Sequence, residues 1–288
     1  MPKKRKGARL LKSLTPYEKL LPYVMDHRYD AMVFFTDTVE CAPIDRYIAM
    51  RRQRDGIDLS YLDVVNAAIV RLIAMRPALN RFVMGRRIYA NNDIKLSMTV
   101  RKSLREGDDD TTIKLPFGGR ETVDQVHEAF HEELVKNRQA DREDNDTDKL
   151  IASIMNLPPL LLNPVVALLK WLDRCNLLPA DVMEFSPFHT SVYITYLKSL
   201  GIRSVYHHIF DFGTVSLFLA LGKEQVMPVV DKATGEVRAA KVLELKVVAD
   251  ERICDGLYYA KSMRLLRKIL EEPEQLEHPL EKVEKDID

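Results

Sequence analysis

Asp250-Glu251-Arg252-Ile253-Cys254-Asp255-Gly256 says more about this chain than any other stretch of its length. Residues 239–249 before it read as a strand and residues 258–270 after it as a helix, so the seven residues form a strand-to-helix turn. Aspartate favours tight turns and glycine accepts positive φ, so Asp255-Gly256 is expected to reverse the chain sharply.

Outward from the turn, the pattern is mixed. Thr15-Pro16-Tyr17-Glu18 is a helix start, with a threonine cap, proline at the first helical position and glutamate three residues after the cap. That helix should end near Met25. Residues 31–41 are rich in β-branched and aromatic side chains and predict a strand. From 60 to 76, Leu62, Val65, Ile69, Leu72 and Ile73 form a helical stripe that Pro77 terminates. Strands are expected at 88–90 and 94–100 on either side of Asn91-Asn92-Asp93, then a polar loop at 102–110 and a strand at 113–117. A charged amphipathic helix should cover 122–138. Further strands fall at 191–197, 214–221 and 226–230. No internal repeat is visible. Helices and strands in this order, without regular βαβ alternation, make an α+β protein.

Composition excludes several classes. The chain has 288 residues, with 43 Lys and Arg against 43 Asp and Glu, so no net field steers it to nucleic acid. It is long enough for a substantial core. No nucleic-acid module or Gly-x-Gly-x-x-Gly loop occurs. Cys41, Cys175 and Cys254 share no short spacing, which argues against a disulfide framework or zinc knuckle and suits a reducing cytoplasm. Lys3, Lys4, Arg5 and Lys6 precede no apolar core of the kind a secretory signal needs. Residues 139–149 are the most polar internal stretch. Residues 150–178 are apolar but broken by Pro158, Pro159 and Pro164, and interrupted by Lys170, Asp173 and Arg174. A membrane span needs about 20 mostly apolar residues, so short helices covering a core or an apolar pocket are expected instead.

Four segments in order resemble the catalytic domain of the chloramphenicol acetyltransferase and 2-oxoacid dehydrogenase acyltransferase (E2) superfamily. Arg76-Pro77-Ala78-Leu79-Asn80 is similar to its "P-x-L-N" turn, and Asp93 to Val100 to its "D-I-x-L-x-x-A-V" strand. Ile194-Thr195-Tyr196-Leu197 with Ser199-Leu200-Gly201 resembles "T-I-S-N-L-G". The opening stretch resembles the active-site pattern His-x-x-x-Asp-Gly, with Glu251 where the family keeps histidine. The resemblance implies the chloramphenicol acetyltransferase-like fold, a two-layer sandwich with a mixed sheet. It further implies a homotrimer with sites between subunits, coenzyme A as co-substrate, and a small-molecule acceptor or a dihydrolipoyl arm of a partner domain. No metal and no lipoyl domain in this chain are expected. Residues 1–14 would then be a basic flexible arm, 15–273 the catalytic-type domain and 274–288 a charged, frayed tail.

Carried over by residue, Thr195 falls at the oxyanion-hydroxyl position, and Asp255 and Gly256 are structural. Glu251 is either a base or polar anchor, or a carboxylate paired with Arg252 or another basic group after the original activity was lost. A glutamate needs its pKa raised by about 2–3 units to deprotonate an alcohol or thiol. Of His207 and His208, which follow Thr195, at most one can face the substrate, and His208 is the candidate. Cys254 is a packing residue. The apolar residues 157–172 could line an acceptor or acyl site. A rival from another class is His127-Glu128-Ala129-Phe130-His131, which fits the His-Glu-x-x-His zinc hydrolase pattern. Its two histidines lie at the edge of the apolar stripe, and no third ligand with a set spacing follows.

Overall fold

In the computed structural model, residues 5–101, 110–139, 152–231 and 233–288 are described. The expected polar stretches at 102–110 and 139–149, and Lys3 and Lys4 of the basic run, lie wholly or mostly outside them.

The chain builds a mixed sheet of seven strands and a separate antiparallel sheet of three. The large sheet runs β2 (Met32–Glu40), β10 (Val237–Asp250), β8 (Leu217–Leu221), β7 (Val192–Tyr196), β5 (Ile94–Arg101) and β6 (Asp110–Phe117), with β9 (Gln225–Val230) also paired to β10. Its β5–β7 and β7–β8 pairs are parallel. The small sheet has the order β1 (Ala8–Leu10), β4 (Arg87–Asn91), β3 (Arg81–Met84). The turn at Asn91–Asp93 therefore carries the chain from one sheet to the other and closes no hairpin.

Helices α2 (Cys41–Asp55), α3 (Tyr61–Met75) and α7 (Gly256–Glu271) cover one face of the large sheet, and α4 (Val123–Gln139) packs on α3. Val192, Ile194, Leu219, Leu243, Leu245 and Val247 point into this layer and bury against them. α3 is held at its start by a reciprocal cap between Ser60 and Asp63. It is buried nearly all round because α4 and α7 flank it as well as the sheet, which is why its apolar residues exceed a single stripe. α1 (Pro16–Val24) begins with the cap read from its sequence, Thr15 accepting from Glu18 N and Glu18 accepting from Thr15 N.

Within the described residues, both the segment from Arg5 to Ser13 and the C-terminal residues are tied to the rest of the fold. Arg5 is buried against Asp173 at 2.8 Å. Ala8 to Leu10 pair with β4. At the other end Asp286 receives Arg81 Nε and Nη2 at 2.7 and 2.6 Å, and Lys12 and Ser13 donate their N–H groups to Asp288 O. One tail carboxylate, Asp286, is the partner of the buried Arg81, and composition alone does not separate such a charge from the solvated ones around it.

Candidate functional site

The second face of the large sheet is only half covered. Side chains alternate along a strand, so Tyr193 and Thr195 of β7 face away from the helix layer that holds Val192 and Ile194. An irregular strap, residues 202–210, crosses this face between β7 and β8. Gly222 lets it approach: a Cβ there would stand 2.2 Å from Ser204 N. Ile209 anchors the strap in a cluster with Tyr193, Phe218 and Val248.

The strap delivers His207 to Thr195. The imidazole Nε2 lies 3.2 Å from Thr195 Oγ1, and the ring stacks on Phe218 at 4.4 Å. Phe218 stacks in turn on Tyr193 at 4.9 Å, and Tyr193 OH meets Thr99 Oγ1 at 2.6 Å. Three rings in series thus fix the imidazole plane. Burial lowers the His207 pKa below its usual 6.5, and the neighbouring His208 pushes the same way. Beside this group Tyr206 OH bonds Thr36 Oγ1, its ring packs edge-on against the exposed Phe34, and Lys246 Nζ sits 5.0 Å over it. Tyr193, Phe218 and Tyr206 are not singled out by sequence reasoning. Tyr193 was accessible through strand alternation with Thr195, whereas nothing periodic in 202–210 marks Tyr206 or His207.

The sequence candidates are not all brought together. His208 is exposed, with its ring against Phe210 at 4.7 Å, so the histidine at Thr195 is His207 and not His208. Glu251 is exposed and its carboxylate makes no hydrogen bond or ion pair among the described residues, although its N–H donates to Ala31 O. Thr195 pairs with Ala220 and Ala220 with Lys246. Glu251, just past the end of β10, stands five residues beyond Lys246, roughly 16 Å at the rise of a strand. One chain does not place Thr195 and Glu251 in contact. Nor does Glu251 pair with Arg252. Arg252 is buried and grips Asp250 with Nε at 2.8 Å and Nη2 at 2.7 Å.

Asp255 caps α7, accepting from Tyr258 N at 2.7 Å. Gly256 is the first helical residue and is not among the positive-φ glycines. The turn is made by a cap and not by left-handed backbone. Cys254 is buried and desolvation raises its thiol to about 12. Helix α5 (Pro159–Arg174) borders a cavity with its last turn. It turns Leu160, 87% exposed, and Trp171, 55% exposed, outward.

His127 and His131 stack at 5.9 Å, but His131 and Glu128 are exposed and His127 Nδ1 faces Asp63 Oδ1 at 3.1 Å. Among the described residues no group of three or more His, Cys, Asp and Glu side chains is placed to hold a metal. No helix among them is long and apolar enough to cross a membrane.

Residues 214–277 match the family 2-oxoacid dehydrogenases acyltransferase (catalytic domain). No curated protein sequence matches the chain. A probable dihydrolipoamide acetyltransferase from Listeria monocytogenes shares the fold with a TM-score of 0.58 at 14% identity, over 91% of this chain and 94% of that one. The cubic core of the pyruvate dehydrogenase multienzyme complex gives 0.52 at 15%, over 90% and 88%. A chloramphenicol acetyltransferase gives 0.54 at 11%, over 91% and 99%. The fold implied by the sequence resemblance is therefore the fold observed.

Proposed function

We propose that this chain, which carries the CoA-dependent acyltransferase fold and the family's C-terminal segment, transfers an acyl group from an acyl thioester to a small hydroxyl, amine or thiol acceptor. Acyl-CoA is the natural donor for the fold. The observation that carries the reading is the 3.2 Å contact of Thr195 Oγ1 with His207 Nε2 on the open sheet face. Its lowered pKa keeps His207 neutral at pH 7 and able to accept a proton. His207 takes the acceptor's proton as the acceptor attacks the thioester carbonyl. The Thr195 hydroxyl, free to rotate, turns its hydrogen to the resulting oxyanion. Collapse breaks the C–S bond, and the leaving thiolate recovers the proton from the imidazolium.

Glu251 joins such a site only from a second copy, because within one chain it lies too far along β10. A homotrimer with the open faces turned to their neighbours fits that requirement, and the neighbour that forms a cubic core is an assembly of the same fold. A cytoplasmic location and a dihydrolipoyl partner domain belong to the same proposal. A second reading has its own support: an exposed, unpartnered carboxylate at the family's histidine position favours a non-catalytic scaffold or a binder of CoA-like ligands.

A thiol-release assay with several acyl-CoAs and pooled acceptors separates the two. Acyl transfer predicts turnover that His207→Ala lowers by about 10²–10⁴ and Thr195→Val by about 10²–10³. Loss in Glu251→Gln with His207→Ala unaffected moves the base to Glu251. No turnover by the wild-type chain with any donor establishes the scaffold.

A further inference from the structure

We propose that a cavity at the end of β10 binds a phosphate-sized oxyanion, either free or carried on a lipid headgroup. The cavity encloses about 220 Å³ between the residues after α1, the β3–β4 turn and the last turn of α5. Its walls carry Arg28, Arg86, Lys170, Arg174 and Arg252.

The acids that share these walls are already engaged. Asp173 accepts from Arg5 Nη2 at 2.8 Å, His189 Nε2 at 3.2 Å and Gly213 N at 3.1 Å. Asp26 pairs with Arg86 at 2.9 Å. Asp211 accepts from Arg28 N at 2.8 Å and meets His27 Nδ1 at 2.6 Å.

The cations are not matched in the same way. Arg252 takes both oxygens of Asp250, at 2.8 and 2.7 Å. Arg28 is left with the same carboxylate at 3.9 Å and otherwise bonds only the carbonyl oxygens of Val83, Phe210 and Asp211. Its Nε has no hydrogen-bond partner although the residue is 2% exposed. The side chains of Lys170 and Arg174 make no hydrogen bond or ion pair among the described residues. Arg252 holds both oxygens of Asp250, so the Arg28 guanidinium stands near carboxylates but has no charged hydrogen-bond partner of its own, an unfavourable arrangement that an incoming anion relieves. Desolvation lowers the Arg28 pKa to about 10 and Arg252 pushes the same way, against the pull of Asp250, Asp173 and Asp211.

Guanidinium forks suit phosphate oxygens, and Lys170 and Arg174 stand on α5 where an incoming anion meets them. The same helix turns Leu160, Leu168 and Trp171 to solvent. A lipid could therefore present the oxyanion as readily as a free phosphate does.

The full chain is titrated with inorganic phosphate against chloride at matched ionic strength while its Tm is followed. In parallel it is sedimented with vesicles of phosphatidylglycerol or of phosphatidylcholine. Phosphate should raise Tm where chloride does not. The Lys170→Ala/Arg174→Ala double variant, altered only at exposed positions, should keep its Tm in chloride and bind phosphate about tenfold more weakly. Sedimentation with phosphatidylglycerol alone, lost in the double variant, assigns the headgroup as the source, and a phosphate response without it assigns a free phosphate. The proposal is overturned if phosphate acts no differently from chloride and neither vesicle is bound. It is equally overturned if the double variant retains the full response. Neither readout involves acyl transfer, so the outcome is independent of the function proposed above.

Discussion

Cys254 lies inside the most informative turn of the sequence, yet burial removes it from the chemistry. A thiol raised to about 12 has almost no thiolate at neutral pH, and Cys41 is raised to about 11 for the same reason. Cys175 is exposed. Iodoacetamide near pH 8 should therefore alkylate one thiol of the native protein, at Cys175, and mass spectrometry of the digest reads the site. His207 shows the opposite use of burial, which holds an imidazole in its basic form. Activity that depends on it should fall as pH drops below 6.5, with the midpoint of the acid limb of kcat/KM under that value. A midpoint above 6.5 would exclude His207 as the base. Thr195 was legible because it sits in a strand with a recognisable neighbour pattern. His207 could not be chosen over His208, because the direction of a side chain in an irregular strap is set by what the strap lies on.

At the scale of elements, the strand-turn-helix around Asp255 separates two accounts of the same dipeptide. Because Asp255 is a helix cap, Asp255→Ala should cost about 1 kcal/mol in urea denaturation. Gly256 has no positive φ, and a Cβ there meets nothing within 4 Å. Gly256→Ala should thus be neutral or stabilising by up to about 1 kcal/mol. A left-handed turn predicts the reverse order. β2, β10, α1, α3 and α7 were all readable from period, caps and breakers. α2 was not, since Pro43 and six arginines and aspartates obscure it in Cys41–Asp55. Pro43 lies in the first turn, where its missing N–H is harmless. Arg51 is buried because Asp55, Asp124 and Tyr47 take up its donors. A polar helix of this kind declares itself only through partners distant in sequence.

The whole molecule depends on such distant partners. Arg5 and Asp173 form a buried pair, so Arg5→Ala should destabilise the fold by about 3–5 kcal/mol. A loose N-terminal arm would predict no change. Acid should act in two stages. His189 and His207 are held below 6.5 by burial, so the unfolded chain takes up their protons first and stability declines as pH falls past that point. Burial would raise the Asp173 carboxyl, but His189 and Arg5 outweigh it and hold it near 2 against 3.8. Its contribution is complete above 3.8 and disappears as pH falls toward 2, which chemical denaturation across that range would trace. β10 carries a consequence for biosynthesis. β2 pairs with β10 alone, Met32 with Asp250 and Glu40 with Val242. At about 5–20 residues per second on the ribosome, β2 waits on the order of 10–40 s for its mate. Through that interval a strand carrying Phe34 and Phe35 has an open edge, which exposes the nascent polypeptide to edge-to-edge association until translation is almost finished.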